Sequence, residues 1–223
     1  MIPWMHLGTA AIPDGGELRL MRRGSEYSIM LGGNELMNSR LSGSEEALAT
    51  LALDRLRPGI VPHILIGGLG MGFTLRAALA SLGPRAEVIV TELVPGVVGW
   101  ARTEMAEIFA GSLDDPRVSI AIGDVAEAIA GAAARYDAIL LDVDNGPDGL
   151  TSAANDRLYG PAGLQAAYRA LRSGGVLAVW SSGPDPAFTA RLGRAGFQAE
   201  EVRVKAGRGR GARHVLWFGT KPG

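Results

Sequence analysis

The residues of this chain best suited to chemistry are acids and glycines that close short apolar runs. Tyr136-Asp-Ala-Ile-Leu-Leu-Asp-Val-Asp-Asn-Gly-Pro147 places Asp142 at the end of one run, with Asp144, Asn145 and Asp148 on the loop that follows. A carboxylate on a loop closing over a reacting centre can take a proton from an attacking amine. Val88-Ile-Val-Thr-Glu-Leu-Val-Pro95 ends a second run on Glu92, followed by Leu93. Asp115-Pro-Arg-Val-Ser-Ile-Ala-Ile-Gly-Asp124 ends a third on Gly123 and Asp124, just before Val125. In His63-Ile-Leu-Ile-Gly-Gly-Leu-Gly-Met-Gly72 a fourth run stops at Gly68, Gly70 and Gly72, with Met71 between them. Glycines there suit a sharp turn and a close approach to a ligand, and a helix start beyond them offers free N–H groups and a positive dipole end.

Together these pieces describe a nucleoside site. An acid about 20 residues beyond a glycine loop, as Glu92 is, can accept both hydroxyls of a ribose lying across strand ends. Asp124, at the same edge, can accept the exocyclic amine of adenine and can equally cap the next helix. The loop after Asp142 does not suit calcium, because position six of the binding pattern would be Pro147 and position twelve Ala153.

The elements that must position these residues follow from periodicity. Strands are expected at 61–66, 86–91, 117–122, 136–142, 175–181, 198–204 and 213–219, and helices at 73–82, 96–110, 124–132, 157–172 and 186–195. Such alternation calls for right-handed crossovers and a mostly parallel sheet covered on both faces. The last two strands flank the glycine-rich 206–212 and read as an antiparallel hairpin. The fold expected for 59–223 is therefore α/β, a Rossmann-like class I methyltransferase fold with a seven-stranded, mostly parallel sheet. Residues 1–58 read as a small β-rich segment: short strands between Glu17 and Met37, then a helical run from Ala47 to Leu56 with Ser44 as its cap and Pro58-Gly59 as its stop.

Gly68 to Arg76, Glu92 with Pro95, Asp115-Pro-Arg-Val118, Gly123-Asp124, Asp142 to Pro147 and Ser173-Gly-Gly-Val-Leu177 resemble the spermidine synthase family of polyamine aminopropyltransferases. The resemblance implies a donor site for S-adenosylmethionine or its decarboxylated form made of Gly68, Gly70, Met71, Gly72, Glu92, Leu93, Gly123, Asp124, Val125 and Asp142. It implies Asp142 and Asp144 as catalytic acids, Asn145 and Trp180 in the acceptor pocket, a small-molecule acceptor such as an amine, and a homodimer. The chain also departs from the family. The aspartate that holds the donor's terminal amine is Met71 here, a tyrosine near the diamine is Leu48, the loop's second aspartate is Asn145, and a glutamine after the fifth strand is Trp180. A buried ammonium without a paired acid costs several kcal/mol, so these losses bear on which group is moved.

Three readings stay open at this level. The first is a transferase moving a methyl or aminopropyl group, with Asp142 as base. The second is a non-catalytic family member that binds an adenosyl ligand. The third, a nicotinamide-dependent oxidoreductase, is disfavoured by Asp124, the terminal hairpin and the late first parallel strand. Ordinary methyltransferases carry an acid where Ile66 stands, so the donor's amino-acid end needs other partners, with Asn38 and Ser39 as candidates.

Composition narrows the class. With 47% hydrophobic and 20% charged residues and a net charge of −1, the chain gives no reason to expect nucleic acid or an anionic membrane as partner. No cysteine is present, which excludes thiol catalysis and Cys-based zinc sites. His6, His63 and His214 lack metal-ligand spacing, so no metal is expected. The N-terminus does not read as a signal peptide, no apolar run suits a membrane span, and a cytoplasmic protein is expected. Arg208, Arg210 and Arg213 read as a hairpin tip, and Trp4, Trp100 and Trp217 as packing residues.

Overall fold

The computed structural model describes residues 2–13, 15–143, 146–147, 157–207 and 211–223. The N-terminal segment is an antiparallel four-stranded sheet in sequential order: β1 (Met5–Ala11), β2 (Glu17–Arg23), β3 (Glu26–Leu31) and β4 (Asn34–Asn38). The last three are the strands expected between Glu17 and Met37. β1 is an addition, hidden in the sequence because its alternation breaks at Gly8, where the pairing with β2 shifts register. A Cβ on Gly8 would stand 2.7 Å from the Trp100 indole nitrogen, so a closely packed aromatic ring requires the glycine.

Helix α1 (Gly43–Leu53) starts earlier and stops sooner than expected. Ser42, not Ser44, flanks its start, and the Ser42 hydroxyl reaches Glu46 Oε1 at 2.8 Å. Ser44 lies within the first turn and is fully buried. α1 packs against helix α2 (Phe73–Ser81), so the segment after β4 already lies on the larger layer.

The remaining strands are β5 (His63–Gly67), β6 (Glu87–Glu92), β7 (Val118–Ile122), β8 (Tyr136–Leu141), β9 (Leu171–Ser181), β10 (Gln198–Lys205) and β11 (Arg213–Thr220). They form one sheet in the order β10-β11-β9-β8-β5-β6-β7. β5 to β9 pair in parallel, and β11 runs antiparallel between β9 and β10. This is the expected seven-stranded α/β sheet with its terminal hairpin. Every residue of β8 is buried, which explains why the central strands read as continuous apolar runs rather than alternating ones.

The expected helix 96–110 is two helices, α3 (Pro95–Arg102) and α4 (Ala106–Phe109). Thr103 leaves helical geometry (φ −122°, ψ −93°), and the Thr103 and Met105 amides both turn back to the Trp100 carbonyl. The break buries Met105 and Phe109 completely. Helices α5 (Val125–Ala130), α6 (Pro161–Ala170) and α7 (Phe188–Arg194) follow. Pro161 opens α6 and β9 begins at Leu171, so the helix expected over 157–172 gives way to strand at its end. One buried core holds the N-terminal sheet and α1 to α4 against one face of the large sheet, and a second joins α5 to α7 to the other. The chain order reverses between β5 and β8, and the crevice at their carboxyl ends is where such sheets bind ligands.

Candidate active site

Backbone handedness accounts for the glycine loop. Gly68, Gly70 and Gly72 have φ of +86°, +50° and +75°, a region that favours glycine. A Cβ on Gly68 would stand 2.4 Å from the Asp142 carbonyl oxygen, and one on Gly72 would stand 2.4 Å from the Phe109 ring. The close approaches that demand these glycines therefore come from the protein itself. Gly70 faces Met37 of β4, which brings the N-terminal sheet to the loop. Leu69 and Met71 are buried in the core. α2 begins directly after Gly72 with no side-chain cap.

Glu92 ends β6 nearly buried, at 7% exposure. Its Oε2 accepts from the Leu69 amide and its Oε1 from the Val94 amide, both at 2.9 Å. Burial raises its carboxyl pKa, while these backbone N–H groups hold it down. Leu93 beside it is exposed.

Asp124 caps α5, its Oδ1 accepting from the Ala126 amide at 2.8 Å. Its Oδ2 faces the Arg157 guanidinium at 3.2 Å. The Gly123 amide donates to the Glu92 carbonyl, so the ends of β6 and β7 are tied together. Val125 is buried beneath them. The donor set fits a nucleoside: two acids at adjacent strand ends beside a glycine loop.

Asp142 follows β8, its amide donating to the Gly67 carbonyl. Thr74, in the first turn of α2, donates a 2.6 Å hydrogen bond to Asp142 Oδ2. Burial and the charge of Glu45 push the Asp142 carboxyl up to about 7, against the Thr74 bond, which lowers it. Glu45 is itself raised, chiefly by burial. Neither Thr74 nor Glu45 is assigned a chemical role from the sequence, although both lie in stretches that it singles out. The only trace of them was Thr74 interrupting an apolar helix and the doubled acid Glu45-Glu46.

Trp180, near the end of β9, is 9% exposed and packs edge-on against the His214 ring with centroids 4.8 Å apart. Its indole Nε1 is buried without a hydrogen-bond partner among the described residues. Asp144, Asn145 and Asp148 lie outside the described residues, as do Arg208 and Arg210. Asn38 and Ser39 are engaged locally: Asn38 bonds Glu35 and the Arg40 amide, and Ser39 Oγ accepts from Tyr27. Leu48 is buried in the core.

No protein-family model matches the chain. Its sequence is 31% identical over 171 residues to the polyamine aminopropyltransferase of Mycobacterium tuberculosis (strain H37Rv), covering 75% of this chain and 31% of that protein. It is 32% identical over 120 residues to the polyamine aminopropyltransferase of Korarchaeum cryptofilum, covering 54% of this chain and 35% of that one. The chain thus spans about a third of the length of these curated relatives. Among solved structures, a spermidine synthase in complex with the transition state analogue AdoDATO superposes with a TM-score of 0.77 at 21% identity, over 97% of this chain and 73% of that one. The spermidine synthase from Thermotoga maritima gives 0.75 at 21% identity, over 97% and 72%. Sequence and fold agree: the polyamine aminopropyltransferase relatives and the spermidine synthase neighbours support a spermidine synthase-like family.

Proposed function

We propose that this chain is a transferase that moves the aminopropyl group of decarboxylated S-adenosylmethionine to a small amine, with Asp142 as the base. The observation that carries the reading is the Asp142 carboxyl. It stands at the carboxyl end of β8, against the glycine loop and held by Thr74, where burial and the charge of Glu45 push it up to about 7. A base poised there is ionised in useful amounts at neutral pH and still basic enough to take a proton as an amine attacks. In this reading Glu92 holds the ribose and Asp124 the adenine. Gly68, Gly70, Met71 and Gly72 pass beside the sulfonium end, with Leu93, Gly123 and Val125 completing the nucleoside's surroundings. Attack at a carbon next to a sulfonium asks little covalent help of a protein, so alignment and proton removal carry the catalysis. Trp180 faces the acceptor in this reading, and Asp144 and Asn145, outside the described residues, keep only the roles that the family resemblance implies. The likeness to a spermidine synthase bound to AdoDATO supports this choice of donor.

A second reading is methyl transfer from intact S-adenosylmethionine. It is favoured by Met71, a buried thioether where an acid would hold the donor's terminal amine, and by the uncapped start of α2, whose dipole suits a carboxylate. The wider reading also takes the protein to be cytoplasmic and to act as a homodimer. Among the described residues no helix is long and apolar enough to cross a membrane.

The test is to incubate the protein with each donor and a set of short aliphatic mono- and diamines and to weigh the products. An acceptor heavier by an aminopropyl group, lost in Asp142→Asn, supports the proposal. A methylated acceptor establishes the second reading. No product from either donor, with binding intact, leaves a non-catalytic adenosyl-binding protein.

A further inference from the structure

At the carboxyl edge of the large sheet, Asp124 is paired with a cation. Its Oδ2 lies 3.2 Å from Nη2 of Arg157, while its Oδ1 is engaged by the Ala126 amide. The two residues reach each other from different elements. Asp124 stands between β7 and α5, and Arg157 stands shortly before α6. The backbone at Arg157 is firmly seated. Leu158 and Tyr159 beside it are buried, and the Tyr159 ring lies edge-on to Phe188. A Cβ on Gly163 of α6 would collide with the Arg157 and Leu158 carbonyl oxygens, so the helix closes tightly on this segment. The Arg157 side chain, by contrast, is 57% exposed.

An exposed ion pair of this kind adds little to stability, so folding alone gives little reason for it. The surroundings supply another. Ile122 ends β7 opposite Glu92, and Leu93 follows Glu92. Both are among the few large apolar side chains left exposed among the described residues. Uncovered aliphatic surface beside an acid and a cation suits a flat heterocycle, whose faces are apolar and whose edge is polar.

We propose that Arg157 is a specificity-determining residue of the donor site, reading the edge of adenine jointly with Asp124. The inference rests on the reading of Asp124 as the acceptor of adenine's exocyclic amine. A carboxylate oxygen has two lone pairs, so Oδ2 can accept from that amine and still keep Nη2. Expelling the guanidinium would exchange a charge-assisted bond for a weaker one to a neutral amine, so the ion pair stays. The guanidinium carries five N–H donors in one plane and no acceptor. Held at Oδ2, it sets a donor next to the acceptor. Adenine is the complement, a 6-amino donor flanked by the ring nitrogens N7 and N1, which only accept. A 6-oxo purine presents O6 where the amine would be, and the Asp124 carboxylate repels it. Asp124 thus selects the amine and Arg157 a ring nitrogen beside it.

The test uses 5′-methylthioadenosine, the nucleoside that aminopropyl transfer would release, so that neither the sulfonium nor the acceptor contributes. Its affinity is measured by calorimetry for the wild-type protein and for Arg157→Met, which keeps an unbranched side chain but has neither charge nor donors. The side chain is exposed, so the substitution spares the core. Arg157→Met should bind the nucleoside about three- to tenfold more weakly, below the full worth of a hydrogen bond to a charged group because the site is open to water. The 1-deaza and 7-deaza forms, each with one ring nitrogen replaced by CH, isolate the contact. One of them should bind the wild-type protein more weakly than the parent does, and should bind Arg157→Met as well as the parent does. A merely structural Arg157 would weaken all three ligands alike and leave each analogue's penalty unchanged. Unchanged affinity in Arg157→Met, tighter affinity that makes the guanidinium a competitor, or penalties that survive the substitution for both analogues overturn the inference and leave the donor site standing. A wild-type protein that binds no form of the nucleoside overturns the donor-site reading itself, and the inference with it.

Discussion

Thr74 Oγ1 and Asp142 Oδ2 are joined by a 2.6 Å hydrogen bond that spans 68 positions of sequence. It ties the first turn of α2 to the end of β8, so the glycine loop and the proposed base are positioned as one unit. The bond favours the ionised carboxyl, while burial and the charge of Glu45 oppose it, and the balance sets Asp142 near 7.

Thr74→Val removes the hydroxyl and nearly keeps the side-chain shape. A hydrogen bond to a charged group contributes ~1.5–3 kcal/mol, so the rising limb of the kcat–pH profile should move up by about one to two pH units. A limb left where it was would show that the Thr74 bond does not tune the base.

Asp142→Asn should lower kcat by ~10²–10⁴-fold while leaving donor affinity within about threefold. Its effect on stability changes with pH. The folded chain holds this carboxyl at about 7 against an ordinary 3.8, so folding favours its protonated form. The stability tied to it is complete below 3.8 and is lost as pH rises through 7. Asn does not titrate, so the variant should be more stable than wild type at pH 8, by on the order of 2–4 kcal/mol, and no more stable near pH 4. Thermal unfolding across this range reads the difference.

Glu92→Gln turns an amide NH₂ toward one of the two backbone N–H groups, from Leu69 and Val94, that the carboxylate satisfies. Leaving a buried donor unpaired costs ~1–3 kcal/mol, which urea unfolding would show. Donor affinity should fall at least tenfold by calorimetry, since the ribose contact loses its charge.

Asp124 separates its two proposed roles. Asp124→Asn can keep the cap on the Ala126 amide through Oδ1, so its stability should stay within about 0.5 kcal/mol of wild type, whereas Asp124→Ala should lose about 1 kcal/mol. Both should weaken donor binding, because each removes the Oδ2 acceptor that adenine and Arg157 would share. Wild-type affinity in Asp124→Asn would confine the residue to capping.

The strands were legible in the sequence because those buried on both faces read as apolar runs that glycines and acids bring to a stop. The strand-end acids were legible for the same reason: Glu92, Asp124 and Asp142 each close a strand, and parallel connectivity sends those ends to one edge. What escaped depends on tertiary contact. β1 is disguised by Gly8, which only Trp100 explains. The break at Thr103 follows from the burial of Met105 and Phe109, and no local signal marks it. Ser44 reads as a cap because serine before an acid pair is a common helix start, yet its hydroxyl is spent on Glu45 and His214. That contact exists because β11 inserts between β9 and β10, bringing the chain's end back beside α1.

The most direct test of the central claim is calorimetric titration of the protein with decarboxylated S-adenosylmethionine and with the intact form, side by side. The account predicts that the decarboxylated donor binds more tightly and that Glu92→Gln weakens it at least tenfold. If neither form bound, the nucleoside site built on Glu92 and Asp124 would be contradicted, and with it the proposed function.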